Sequence, residues 1–409
     1  MRFALALRSP AVDERFQALA ELAVHGANVQ KGQVVAVNAA VGQEQLARAT
    51  AAAAYRRGAK YVDVLYFDPY VKRARIEHAG ADTLEYVPPW YVSRLTGLAD
   101  RGDARIGFAG VVAPEALDGL DPARLGRDQL PWLKEVPQVI NDRATNWTIV
   151  PCPHPEWAKL VFPELAGDEA YARLWDELWH VLRLDEPDPA AAWEARMATL
   201  RASADAMTAR HFDSLELRGP GTELTVGLLP SGFWGAGDFE TRFGLRHLPN
   251  LPTEEVFTTP DPLRTEGHVT STKPLVLKDG TIVRGLRVLF EGGRAVEIDA
   301  DENGAALRSN AELDEGAGLL GEVALVDGQG RIGPLGTVFF DTLLDENAAS
   351  HIALGSGFPF AVAAAEDLER VNTSGIHIDF MIGSPELEVT GVTPDGDRVT
   401  VLRDGDWQI

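Results

Sequence analysis

Two histidines set among carboxylates are the residues of this 409-residue chain best suited to do chemistry. One stretch runs Asp341-Thr-Leu-Leu-Asp345-Glu346-Asn-Ala-Ala-Ser-His351, the other Gly375-Ile-His377-Ile-Asp379-Phe-Met-Ile-Gly383. Imidazole nitrogen and carboxylate oxygen together suit zinc, cobalt or manganese and need no thiolate. The chemistry these types and spacings point to is metal-assisted hydrolysis.

Elements must hold such groups in place. Ile376, Ile378, Phe380 and Ile382 alternate with His377, Asp379 and Met381, the period of a strand, so His377 and Asp379 are expected on one face and within reach of one ion. Asn347 to Leu354 reads as the opening of a helix, with Asp345 as its N-cap and Gly355 as its stop, which places His351 on a helix. Two further acids stand in structured contexts: Thr253-Glu254-Glu255-Val-Phe257 after a proline turn, and Gly321-Glu322-Val-Ala-Leu-Val326, where an acid leads into an apolar run and needs a partner.

The runs Asn250-Leu-Pro-Thr-Glu-Glu-Val-Phe-Thr258, Leu320-Gly-Glu-Val-Ala-Leu-Val326, Phe339 to Ala353 and His377-Ile-Asp-Phe-Met-Ile-Gly383 resemble, in order and spacing, the thermophilic aminopeptidase family, the aminopeptidase T and staphylococcal aminopeptidase S type of metallopeptidase. The likeness is dense from about Gly221 onward and diffuse before it. It implies an exopeptidase with two divalent ions, zinc, cobalt or manganese, acting on short peptides with a free N-terminus, and a homodimer with an enclosed site. Its implied metal ligands fall on Glu255, Glu322, His351, His377 and Asp379, with Glu346 as a further one. The family also places a tyrosine seven residues after the first histidine, where this chain has Phe358, a ring that neither ligates a metal nor donates a hydrogen bond.

Each of these residues also has an ordinary reading. A lone His-x-Asp is usually a surface or satisfied core pair, and Glu346 in a first helical turn would favour the helix dipole whether or not it met a metal. His180, on an apolar helix, reads as a core or groove residue, and His154 before Pro155 as a helix start.

Composition narrows the partners. Thirty-eight Lys and Arg against 61 Asp and Glu leave a net charge of −23, which argues against nucleic acid or an anionic membrane surface. The apolar stretch near Met1 is too short for a signal-peptide core and no 18-residue apolar run follows, so a cytoplasmic location is expected. The single cysteine, Cys152, excludes an intramolecular disulfide and a thiolate zinc site, and reads as a small buried hydrophobe.

Two domains are expected. In residues 1–165, helix Asp13–Val24, strand Gln33–Asn38, helix Gln43–Arg57, and strands at Tyr61–Phe67, Ala104–Ala109 and Thr148–Pro151 give an α/β domain with a mostly parallel open sheet. No Gly-x-Gly-x-x-Gly follows the first strand, against a dinucleotide site. In residues 166–409, helical patterns from Asp168 to Arg210 give way to short strands joined by turns such as Lys278-Asp-Gly280 and Glu291-Gly-Gly293, interrupted by a helix around Asp301 to Leu319. This α+β domain, rich in antiparallel strands, holds all four motifs and so carries the metal site. Gly355-Ser-Gly-Phe-Pro-Phe360 either lines a substrate pocket or is a plain flexible turn.

The mechanism expected is amide hydrolysis by a metal-activated water, with one ion anchoring the α-amine. Glu254 is the candidate general base, provided a turn or bulge points it at the metals. A phosphoesterase would use the same ligand set but present Arg or Lys to phosphate, and these are sparse near the motifs. A metal-stabilised binding protein is the other alternative, with Phe358 in its favour.

Overall fold

The computed structural model describes residues 14–409 apart from positions 129, 132, 278 and 279. The apolar stretch near Met1 and the Lys278-Asp279 turn lie outside the described residues.

The first half forms as its pattern predicts. Val34–Ala40, Tyr61–Phe67, Ala104–Ala109 and Asn146–Pro151 make a four-stranded sheet in the order second, first, third, fourth, every pair parallel. Its Val35, Val37, Ile106 and Val150 are buried with Leu19, Ala23, Leu46 and Ala53 of the helices Glu14–Gly26 and Glu44–Arg56, since parallel connections require helices to cover the sheet. His154 caps the helix Pro155–Val161 by accepting a hydrogen bond from Glu156 N, and Cys152 is buried.

The helices Gly167–Val181 and Pro189–Arg210 lead into two antiparallel sheets. One has eight strands, drawn from the residues between Ser214 and Trp407. The other has five and matters most here: His377–Met381, His351–Gly355, Leu320–Val326, Glu255–Thr258 and Gly235–Ala236, side by side in that order. Its middle strands Leu320–Val326 and His351–Gly355 are buried along their whole length, Glu322 and His351 included. The expected helix over Asp301–Leu319 is confined to Gly304–Ala311.

His351 corrects the sequence reading. The helix is only Thr342–Glu346, and the chain then enters the strand His351–Gly355, which is paired on both sides, with Glu322–Ala324 and with His377–Met381. A run such as Ala-Ala-Ser-His is locally compatible with helix, but ladders on both sides outweigh that weak preference. Asp345 is not the N-cap either: it is buried, and its carboxylate accepts from the backbone N–H of Phe339 and Asp341, bracing the turn into the helix. Two bonds tie this turn to the first half of the molecule, Gly110 N to Asp341 Oδ2 (2.9 Å) and Trp157 Nε1 to Phe339 O (2.6 Å).

Candidate metal centre

Strand alternation and register bring the chemistry onto one face of the five-stranded sheet. His377 and Asp379 are two residues apart on an edge strand, and their Nε2 and Oδ1 lie 3.3 Å apart. Register sets Asp379 opposite Ala353, and Ala353 opposite Glu322. In an antiparallel sheet opposed residues point to the same side, so the Ala353 methyl lies between the two acids. His351 stands opposite Ala324 one row along, and Glu255 opposite Val326.

Two groups of ligand atoms result, each closed within 4.8 Å: Glu255, Glu322 and His351, and Glu322, His377 and Asp379. Glu322 belongs to both. His351 Nε2 is 3.2 Å from Glu255 Oε2, and His377 Nε2 is 3.1 Å from Glu322 Oε2. Each imidazole is oriented from behind by a backbone carbonyl, His351 Nδ1 with Ala349 O (3.2 Å) and His377 Nδ1 with Ser356 O (2.7 Å). Such outer contacts turn the Nε2 edges toward the carboxylates. Sequence reasoning gave no sign of them, because a carbonyl partner has no residue type.

The electrostatics are those of too many acids in too little water. Burial pushes Glu322 above the usual carboxylate range, with Asp379 and Glu255 adding to the shift against its hydrogen bond from His377. Glu346 is raised well above that range by burial first, then by Asp379 and Glu255, so it faces the same cluster. Burial alone would lower His351, but the hydrogen bond and charge of Glu255, with Glu322 and Asp379, outweigh it and raise the ring to about 10. His377 is likewise raised well above its ordinary value, because Asp379 and Glu322 overcome burial. Asp379 falls below its ordinary value, since His377 and His351 outweigh its burial. In the bare chain, protonated imidazoles supply the positive charge these carboxylates call for.

The donors fit divalent cations. The three carboxylates and two imidazoles of these groups are oxygen and nitrogen ligands of the borderline kind, Glu346 falls in neither group, and the buried Oδ1 of Asp379 makes no hydrogen bond of good geometry, with His377 Nε2 standing 3.3 Å away. A buried carboxylate oxygen without a well-formed hydrogen bond is costly, and a cation would satisfy it.

Glu254 is a correction. The strand is regular from Glu255 onward, so its predecessor points to the opposite side, with no bulge to redirect it. There it is fully buried and its carboxylate is taken by two arginines, Arg183 Nη2 at 2.8 Å and Arg196 Nε at 2.6 Å. Arg196 also grips Asp327 in two parallel bonds of 3.0 and 2.7 Å, and Trp407 Nε1 donates to Asp327. Asn347, fully buried, joins this side to the cluster: its Oδ1 accepts from Glu254 N and its Nδ2 donates to Leu343 O. His180 is exposed and paired with Asp185, not in the core.

Phe358 stands where its spacing placed it. Its ring centroid is 5.3 Å from that of His377, beside Phe257 and Phe360.

Comparison with known proteins agrees with this geometry. The thermophilic metalloprotease (M29) family model matches residues 12–407. Aminopeptidase T of Thermus aquaticus is 42% identical over 98% of this chain and 100% of its own length. Aminopeptidase PepS of Streptococcus thermophilus is 35% identical over 98% of this chain and 99% of its own. The solved structure of wild-type AmpT from Thermus thermophilus superposes with a TM-score of 0.90 at 41% identity, covering 98% of this chain and 100% of that one. The chain belongs to the family of thermophilic metalloproteases (M29), and it is a metal-dependent aminopeptidase.

Proposed function

We propose that the enzyme cleaves N-terminal residues from short peptides with two divalent ions held by Glu255, Glu322, His351, His377 and Asp379, Glu322 serving both, and with Glu346 closing the set. The carrying observation is the pair of ligand groups that share Glu322. Charge supports the count: four carboxylates, Glu255, Glu322, Glu346 and Asp379, balance two divalent ions when both imidazoles are neutral. Zinc, cobalt or manganese fits these donors.

When bound, such ions supply an activated water, a polarised carbonyl and an anchor for the free amine. The chain's own residues do the rest. His351 and His377 present Nε2 because Ala349 O and Ser356 O hold their other nitrogens. A phosphoesterase reading finds no support, because Arg183 and Arg196 behind the sheet are both engaged with Glu254.

The division at 165/166 is kept as the domain boundary of this reading, with all the donors in the second part. A homodimer is part of the proposal, and Tyr55, Tyr61, Tyr70, Tyr86 and Trp90 are each exposed in the first domain. No helix among the described residues is long and apolar enough to cross a membrane, and a cytoplasmic site of action is part of the proposal.

Metal content per chain, measured with turnover of free-amine and N-acetylated aminoacyl anilides, tests the reading. It expects close to two equivalents, turnover of the free amines only, and a dimer by light scattering. One equivalent at full activity, or cleavage of acetylated substrates, would overturn it.

A further inference from the structure

In a chain with 61 acids, Arg105 has none for a partner. Its Nη1 is closed off from solvent and, among the described residues, has no hydrogen-bond partner. Burial first, then the like charge of Arg94, pushes its pKa down to about 10, and no carboxylate acts in the other direction. Arg94, on the neighbouring helix Pro89–Arg101, is provided for: it pairs with Asp63 and donates to Asn38 Oδ1 at 3.0 Å. A shielded guanidinium left unpaired is costly, so a partner from outside the chain is called for.

The face that carries Arg105 is open. Arg105 stands in register between Ala36 and Trp147, and two residues along the same strand Gly107 stands between Asn38 and Ile149. On the other face of this sheet Val35, Val37, Ile106 and Val150 are fully buried, whereas Asn38, Arg105, Gly107, Trp147 and Ile149 are only half-buried. Parallel sheets ordinarily have both faces covered. A Cβ at position 107 would meet only the side chain of Ile149, at 3.5 Å, so the strip beyond Arg105 is a notch and not a packed layer. It lies between the first and third strands, where the order second, first, third, fourth changes direction, and open α/β sheets take ligands at such a point.

The notch leads to the metal centre. Gly110, just past the end of the third strand, donates to Asp341 at the head of the helix that ends in Glu346. Ile149 N donates to Pro249 O (2.7 Å) and Leu251 N to Ile149 O (3.0 Å), on the segment that runs into Glu255. Trp147 is 6.4 Å from Phe239, which meets Phe360 at 5.1 Å, and Phe360 stacks on Phe358 beside His377. Arg105 is five residues back from Gly110, about 17 Å along a strand, and an extended peptide of about five residues covers that span.

We propose that Arg105 receives the C-terminal carboxylate of a peptide whose free amine sits at the metal centre, so that short substrates are held from both ends. The proposal rests on the aminopeptidase reading. A guanidinium meets a carboxylate with two parallel charge-assisted bonds, and such a contact changes binding on the order of tenfold to a hundredfold.

The test uses metal-loaded enzyme with leucyl-tetraglycine, its C-terminal amide, and leucine anilide, which has no carboxylate. The expectation is a kcat/KM at least about tenfold higher for the free acid than for the amide, with the difference in KM. Arg105→Met should bring the acid down to the level of the amide while leucine anilide turnover and metal content stay unchanged, and Arg105→Lys should keep part of the preference. Because the native guanidinium is unpaired, Arg105→Met should also hold or raise Tm. Loss of the fold, or an equal loss of activity on the anilide, would mark Arg105 as structural and overturn the assignment. Equal turnover of acid and amide by the wild-type enzyme, or a preference that survives Arg105→Met, would overturn it too. Absence of turnover on the anilide and both peptides refutes the aminopeptidase reading instead, and calorimetric binding of the acid and the amide then still decides the contact.

Discussion

The two sides of the five-stranded sheet treat their acids in opposite ways. On one side Glu254 and Asp327 are buried against Arg183 and Arg196, cations the chain itself supplies. On the other, Glu255, Glu322, Glu346 and Asp379 face two histidines and one another, and among the described residues none of them is paired with an arginine or lysine. Glu254 and Glu255 are neighbours in sequence with nothing to separate them by type. An acid that the fold pairs with arginine is structural, and acids left to share two histidines are the ones proposed to hold a cation from outside.

The strongest way to break this contrast is to remove the second side's donors. His377→Ala with Asp379→Ala should lower kcat on the order of a thousandfold or more, since metal activation contributes several kcal/mol. Elemental analysis should show most of the metal gone while circular dichroism stays native. Full metal content in this variant would show that the cluster is not the site.

The first side should fail differently. Glu254→Gln removes the common partner of two buried arginines and is expected to destabilise by about 3–5 kcal/mol. Denaturant titration should show the loss, and metal per folded chain should be unchanged. If Glu254→Gln folds with normal stability and loses only turnover, the general-base role returns to it.

Phe358→Tyr sharpens the contrast within the site. A donor beside His377 can contribute as much as about 100-fold in kcat, and the added hydroxyl changes little in volume. A gain on free-amine anilides with unaltered metal content is expected. No gain would mean that the phenyl ring acts through substrate binding alone.

The smallest effect is on pH. His351 in the bare chain has a folded value of about 10 against 6.5 unfolded, so its stabilisation is complete below about pH 6.5 and disappears as pH rises toward 10. His377 acts in the same sense, and the raised Glu322 and Glu346 also favour the folded state at lower pH. Thermal scans of metal-free protein should therefore show Tm falling by a few degrees between pH 6.5 and 9. Metal-loaded protein should lack this fall, and apparent metal affinity should rise over the same interval as ligand protons leave.

Much of this was legible in the sequence because it is local. Alternation around His377 and Asp379 fixed both the strand and the shared face, and the parallel sheet of the first half followed from strand and helix periods. His351 was misread because its strand is made by partners 27 residues before and 30 after it, Ala324 and Met381, and local propensity carries no trace of them. Arg196 and Glu254 meet across 58 residues, and Arg196 and Asp327 across 131, so no window of sequence shows that Glu254 is spoken for. The sequence did say that a regular strand would turn Glu254 away, and that is how it lies.

Ala353 has no chemistry, yet its place between Asp379 and Glu322 makes its smallness a requirement. Valine is the better strand former, and Ala353→Val would leave the ladder intact while two methyl groups crowded the gap between the acids. The constraint at this fully buried position therefore comes from the space between the two acids and not from the strand, which would accept the larger residue.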